Sequence, residues 1–332
     1  MKPKSSQNII NTINDVLKIT HDDMQEVNTT IRDSLDSHVV LIKQISAYII
    51  NSGGKRLRPI LVILMAQACG YKGKKHIQLA AIIEFIHTAT LLHDDVVDES
   101  NMRRGNKTAN EVWGNSASVL VGDFLYSRSF QMMVAIENLE VMDILANATN
   151  TISEGEVLQL LNIGNLAITE QQYYQVIKNK TAKLFAAGCE LSALVSTDDQ
   201  DLITNMACYG EYLGMAFQIA DDMLDYTLEN QKLDKNIGDD LAEGKLTLPL
   251  IYLLKHGTAE DREIISQAIK SQSTKHLKTI QRRINATPAL QYTQDKAREF
   301  ANLAKQQLNN LPTSDAKDAL MFLCDFAYQR NS

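Results

Sequence analysis

The 332-residue sequence is poor in the residues that interrupt helices. It has 5 prolines and 15 glycines, too few for a β-sandwich, a collagen-like repeat or a low-complexity linker protein. Its 4 cysteines, Cys69, Cys189, Cys208 and Cys324, are scattered and form no CxxC pair. A zinc site is therefore not expected, and reduced thiols in a cytoplasmic protein fit better. Long hydrophobic runs are missing too. The densest, Ile60 to Ala66, stops at Gln67, whereas a membrane span needs roughly 20 apolar residues. The opening MKPKSSQNII lacks the apolar core of a secretion signal. Positive charge is in deficit: 33 Lys and Arg against 40 Asp and Glu give a net charge of −7. A general nucleic-acid surface is excluded on that ground, because a phosphate backbone attracts a basic face; a local basic pocket is not.

What the sequence does have is apolar content, 45% of residues, enough to fill a sizeable core and to exclude a disordered chain. Leu79, Ile82, Ile83, Ile86 and Thr90 recur at helical spacing, as do Leu213, Phe217, Ala220 and Leu224. No segment alternates with period two, so no significant sheet is predicted. The spacing predicts helices over about 75–98, 115–136, 139–161, 171–196, 201–228 and 246–255, with shorter ones following to Arg330. Pro59 suits the first turn of a helix running towards Gly70, a good cap, and Gly105, Gly114 and Gly164 mark further breaks. The chain reads as one all-α domain over 1–332.

One pattern occurs twice. A DDxxD cluster stands at Asp94–Asp98 and again at Asp221–Asp225. On a helix Asp94 and Asp98 share a face, and Asp95 is turned from them by about 100°. Gln218, Asp221, Asp222 and Asp225 form one stripe at i, i+3, i+4 and i+7. Like charges at this spacing destabilise a helix by a few tenths of a kcal/mol per pair. Two such clusters in apolar helices call for cations. Mg²⁺ takes one or two carboxylates, waters and substrate phosphate oxygens, so two carboxylate faces lining one cavity would hold a diphosphate. The competing reading is a solvated acidic face, which fits one cluster better than two. The Gly-containing loop of an EF-hand is absent.

Basic residues accompany both clusters. Gly53-Gly54-Lys55-Arg56-Leu57-Arg58-Pro59 places three cations between a flexible glycine pair and a helix start. Arg58 offers a planar fork to phosphate and Lys55 a point charge. Arg103 and Arg104 follow the first cluster, Lys180-Thr181 lies in a helical stretch, and Lys235 and Lys245 flank Gly238-Asp239-Asp240. Each alone is an ordinary surface charge; together they suit a polyanionic substrate.

These segments resemble the trans-type isoprenyl diphosphate synthases from about residue 38 onward. FIHTATLLHDDVVDESNMRRG (85–105) is similar to that family's first aspartate-rich region, QIADDMLDY (218–226) to the second, and GGKRLRP (53–59) to its isopentenyl diphosphate motif. ASVLVGDFLYSRSFQMM (117–133) and EGEVLQL (154–160) look most like the octaprenyl branch, which makes the ubiquinone side chain in bacteria. The resemblance implies an orthogonal all-α bundle around a deep central cavity, usually a homodimer, with three Mg²⁺ per active site. It implies Asp94, Asp98 and Asp221 as metal ligands, supported by Asp95, Asp222 and Asp225. Arg103, Lys180 and Lys235 would hold the allylic diphosphate. Lys55, Arg58, His87 and Arg104 would hold isopentenyl diphosphate. Thr181 and Gln218 would lie near the developing cation, and Lys245 near the allylic site. For His87 the alternative is a satisfied core histidine. His93 is read as a structural neighbour of the cluster.

The implied reaction is ionisation, condensation and elimination, with the released diphosphate as base and no enzyme nucleophile. Product length would depend on the residues beneath the first cluster. Ala89 and Thr90, one turn before Asp94, are small, so the tail would pass Ile86 towards helix 115–136. Met133 is a candidate floor, with core packing an equal alternative. Ala89→Tyr or Ala89→Phe is expected to shorten the product. A shorter-chain synthase and a non-catalytic subunit of a heteromeric synthase are the alternatives, although such subunits typically lack intact aspartate clusters. A terpene cyclase would carry one DDxxD and more than the 6% aromatics found here. A phosphohydrolase using His93-Asp94 explains neither the second cluster nor GGKRLRP. Nucleic acid is not an expected partner, and no transmembrane segment is expected; peripheral membrane contact would serve release of an oily product.

Overall fold

The computed structural model describes residues 10–51, 53–103, 105–227 and 238–329. Helix dominates, as the periodicity predicts. In order the helices are α1 (Ile13–Ser34), α2 (Val40–Asn51), α3 (Leu57–Ala68), α4 (Lys75–Val97), α5 (Ala109–Trp113), α6 (Asn115–Ala135), α7 (Leu139–Asn162) and α8 (Glu170–Ile177). They continue with α9 (Lys183–Leu194), α10 (Gln200–Leu224), α11 (Asp239–Ala242), α12 (Leu248–His256), α13 (Ala259–Ser271), α14 (Leu277–Asn285), α15 (Ala289–Gln307) and α16 (Asp315–Gln329). Among the described residues the one sheet is a hairpin, β1 (Met102–Arg103) antiparallel to β2 (Asn106–Lys107), turned at Gly105 with φ 75°.

The chain divides into two compact units. The first comprises residues 1–147, 184–210 and 305–323. Its centre is α4, which packs on α1, α3 and α6. Ile77, Leu79, Ile82, Ile83, Phe85, Ile86, Ala89 and Leu92 are all buried, on every side of the helix. A helix that is apolar all round is stable only inside a core. The same holds for α3, whose run from Ile60 to Ala66 is wholly buried. At about 1.5–3 kcal/mol per buried large side chain, these two helices supply much of the unit's driving force. Among the described residues no helix is long and apolar enough to cross a membrane.

The second unit comprises residues 148–183, 211–304 and 324–332. Its core joins Tyr226, Leu241, Leu248, Leu250, Ile265, Ile269, Ile280 and Ile284. Helix α8 opens on a capping box: Thr169 Oγ1 accepts from Gln172 N at 3.2 Å, and Gln172 Oε1 accepts from Thr169 N at 2.8 Å.

The helix predicted over 171–196 is in fact interrupted. Lys178–Ala182 forms a π-helical turn between α8 and α9, a local widening often found at functional sites. Gly155 of α7 lies against it, where an added Cβ would stand 2.7 Å from Lys180 N. The helix predicted to reach 228 ends at Leu224, and the one predicted from 246 begins at Leu248, with Pro249 in its first turn.

Candidate active site

In the first unit, α4 carries the first acidic cluster at its C-terminal end. Asp94 and Asp98 are half-buried, whereas Asp95 has no exposed surface. The hairpin returns the chain so that Arg103 meets Asp95: Nε and Nη2 both donate to Oδ1, at 2.8 and 2.7 Å. Burial raises the Asp95 pKa above the carboxylate norm, with repulsion from Asp94 and Asp98 adding to it, while Arg103 opposes the rise. Asp95 Oδ2 is buried and accepts no hydrogen bond among the described residues. A crowded carboxylate set with a buried unsatisfied oxygen fits a divalent cation. Among the described residues no three His, Cys, Asp or Glu side chains are grouped to hold a metal by themselves.

Two turns earlier on α4, His87 Nε2 lies 3.0 Å from Arg58 Nη1, and the Arg58 guanidinium sits 4.5 Å above the Phe185 ring. Lys55 is exposed just before α3. Arg56, the middle cation of the motif, turns away and pairs with Glu84. His93 lies 3.1 Å from the Val119 carbonyl oxygen. An added Cβ on Gly122 would fall 2.3 Å from its Nε2, so the glycine admits this close crossing of α4 and α6. That matches its reading as a neighbour of the cluster. Ile86 and Ala89 have no exposed surface, Met133 has almost none, and Thr90 is half-buried with its Oγ1 donating to the His87 carbonyl at 2.8 Å.

In the second unit, the end of α10 carries Gln218, Asp221 and Asp222, and Asp225 follows directly after it. Thr181 Oγ1, on the π turn, donates to Gln218 Oε1 at 3.0 Å. Gln218 Nε2 donates to Asp222 Oδ1 at 2.7 Å, and the Tyr173 hydroxyl donates to Asp222 Oδ2 at 2.6 Å. Asp221 and Asp225 are half-buried, and Asp225 Oδ1 accepts from Gly238 N at 2.8 Å. Lys180 pairs with Glu156 at 2.6 Å, and Lys245 with Glu243. Asp240 is raised well above the usual carboxylate range, chiefly by burial and then by Asp225 and Asp222. Arg104 and Lys235 lie outside the described residues.

The residue that sequence reasoning missed is Tyr173. It lies seven positions before Lys180, in a Tyr-Tyr pair with no motif to mark it. Glu156, in EGEVLQL, was likewise not singled out. Both act through partners that helix packing supplies.

Burial pushes Asp222 up to about 7, repulsion from Asp221 and Asp225 adds to this, and Tyr173 and Gln218 oppose it. Because its folded pKa is raised, the folded chain binds more protons than the unfolded chain between about pH 4 and about pH 7, so stability from this group falls as pH rises through that window. Metal-free protein should therefore show a thermal midpoint that declines towards neutrality. Asp222→Asn should flatten the decline and Tyr173→Phe should steepen it. A wild-type profile as flat as that of Asp222→Asn rejects this account.

A DDxxD at the end of a core helix, paired cations and an all-α scaffold define the class, and residues 39–286 match the polyprenyl synthetase family. The chain belongs to that family. It is 47% identical over 315 residues to the octaprenyl diphosphate synthase of Escherichia coli K12, covering 95% of this chain and 98% of that protein. A decaprenyl diphosphate synthase structure from Rhodobacter capsulatus superposes with a TM-score of 0.92 at 42% identity, covering 97% of this chain and 100% of that one. A polyprenyl synthase from Caulobacter crescentus CB15, complexed with calcium and isoprenyl diphosphate, gives 0.93 at 40% identity over 99% and 100%. The all-α isoprenoid synthase fold expected from the sequence is thereby shown.

Proposed function

We propose that this chain is a Mg²⁺-dependent trans-prenyltransferase. It elongates an allylic diphosphate, with farnesyl diphosphate as primer, by successive isopentenyl diphosphate units to a long all-trans product, octaprenyl diphosphate for a quinone side chain. One observation carries the reading. In both DDxxD clusters the second aspartate is buried and anchored, Asp95 by Arg103 and Asp222 by Tyr173 and Gln218, while the first and last stay half-buried. A merely solvated acidic face gives no reason to bury and brace the same member of each cluster.

Bound Mg²⁺ supplies neutralisation of the charge that builds on the leaving diphosphate. Asp94 and Asp98 would hold Mg²⁺ in the first unit, with Asp95 in support, and Asp221 in the second, with Asp222 and Asp225 in support. Lys180, Lys245 and Arg103 add positive charge for the allylic diphosphate, as would Arg104 and Lys235 for their respective substrates. Lys55 and the Arg58–His87 pair hold isopentenyl diphosphate. Thr181 and Gln218, hydrogen-bonded to each other, would lie near the allylic cation, and apolar surroundings would keep water from it. The released diphosphate takes the proton, so no side-chain base is required. A homodimer accords with the exposed apolar side chains Leu120, Phe130, Val134 and Leu139 of the first unit.

The test is incubation of purified chain with labelled isopentenyl diphosphate, farnesyl diphosphate and Mg²⁺, followed by sizing of the dephosphorylated lipid. The expected product is an octaprenyl lipid that disappears with EDTA. No elongated lipid overturns the enzymatic reading; a nonaprenyl or decaprenyl lipid overturns the chain-length assignment alone. The relatives' own names, octaprenyl and decaprenyl, make that distinction worth measuring.

A further inference from the structure

Arg56 occupies the left-handed region, φ 48° and ψ 36°, as the residue that opens α3. A non-glycine residue held there is strained, because its Cβ crowds the neighbouring carbonyl oxygen. Glycine stands three positions earlier, at Gly53 with φ 84°, yet the strained position itself carries a long cation. Its own side chain explains why the conformation persists. Nη1 donates to Glu84 Oε1 at 2.7 Å and Nη2 to the Ile50 carbonyl at 2.8 Å. The two side chains are 19% and 11% exposed, so the pair is largely withdrawn from water. A carboxylate inside an otherwise apolar helix needs such a partner. The guanidinium thereby ties together the end of α2, the start of α3 and the middle of α4.

The neighbouring contact repeats the arrangement. Glu84 and His87 are three apart on α4 and share a face. Arg56 and Arg58 are two apart on the incoming chain. Arg56 meets Glu84 and Arg58 meets His87, giving two adjacent rungs between the same pair of segments. The first rung is a largely buried ion pair. The second carries the cation and imidazole assigned above to isopentenyl diphosphate. A turn fixed by the first rung sets the direction in which Lys55 leaves the chain and the register at which Arg58 reaches His87.

We propose that Arg56 and Glu84 are positioning residues for the isopentenyl diphosphate subsite, locking the left-handed turn that presents Lys55 and Arg58 without touching substrate themselves. This rests on the prenyltransferase reading. It accounts for three closely spaced cations of which one is spent internally.

The test separates positioning from simple stabilisation by measuring KM for each substrate. Arg56→Lys keeps the charge but loses the two-pronged fork. Arg56→Gly relieves the backbone strain while removing both anchors. Glu84→Gln keeps the shape and removes the charge. Each variant should raise KM for isopentenyl diphosphate by about tenfold or more, with KM for the allylic primer and kcat changed by less than about threefold. Calorimetric titration of isopentenyl diphosphate should show the same loss. The Arg56→Gly, Glu84→Gln double variant should be little worse than either single one, because both remove one interaction. Wild-type turnover tests the enzymatic reading separately. If the wild type elongates and folded Arg56→Gly and Glu84→Gln leave KM for isopentenyl diphosphate unchanged, or shift both KM values equally, the positioning role is overturned.

Discussion

Asp94→Ala and Asp221→Ala should each lower kcat by about three orders of magnitude, equivalent to about 4 kcal/mol of transition-state stabilisation. These aspartates begin the two DDxxD clusters. Both are half-buried, unlike their braced neighbours Asp95 and Asp222. On the proposed assignment, removing either would take a carboxylate from the divalent ion that offsets charge on the departing diphosphate, without opening a cavity in the core. Relief of i, i+4 repulsion works slightly in favour of the fold, by a few tenths of a kcal/mol. Thermal unfolding should therefore stay near that of the wild type while turnover collapses. The contrast is Asp95→Ala. It leaves the Arg103 guanidinium without its carboxylate beside a fully buried position, and loss of one member of such a pair costs about 3–5 kcal/mol. Steady-state kinetics across a Mg²⁺ titration, together with scanning calorimetry, distinguishes the two classes. An Asp94→Ala enzyme within tenfold of wild type at saturating Mg²⁺ would sink the assignment of that cluster.

The second large effect is on what the enzyme makes. Thr90 lies three residues after His87 and four before Asp94, so all three share one side of α4, and Thr90 is half-buried there. Ala89, one position earlier, has no exposed surface. Thr90→Phe should therefore place a ring on the accessible side of the helix and replace the wild-type long-chain product with shorter chains, with little change in stability. Ala89→Tyr should also shorten the product. It must in addition force an aromatic ring into packed core, at about 1–3 kcal/mol, lowering the thermal midpoint by several degrees. Reversed-phase chromatography of the dephosphorylated lipids reads the first effect and calorimetry the second. An undiminished wild-type long-chain peak from folded Thr90→Phe would move the length determinant elsewhere.

Helix content, the positions of most breaks and both acidic clusters were legible in the sequence. The α4, α6 and α7 spans predicted from periodicity lie within a residue or so of the structure, and Gly105, Gly114 and Gly164 all take positive φ at breaks in the chain. These features are local: a helix is written in spacings of three and four residues, and an acidic cluster in five. The π turn at Lys178–Ala182 was not legible, because its residues do not differ in helical preference from those around it.

What the sequence could not divide was labour within each motif. GGKRLRP presents three cations, and nothing local says that Arg56 is spent on Glu84 while Arg58 meets His87. Each DDxxD presents three carboxylates, and nothing local says that the second is buried. Those assignments depend on contacts over long stretches of chain: 28 residues from Arg56 to Glu84, 49 from Tyr173 to Asp222. The sequence determined which elements form and which chemistry they carry, since propensity and periodicity act over a turn or two. Only the tertiary structure decided which charges are buried and braced and which stay half-buried, since a buried ion pair exists only where two helices cross closely enough to exclude water.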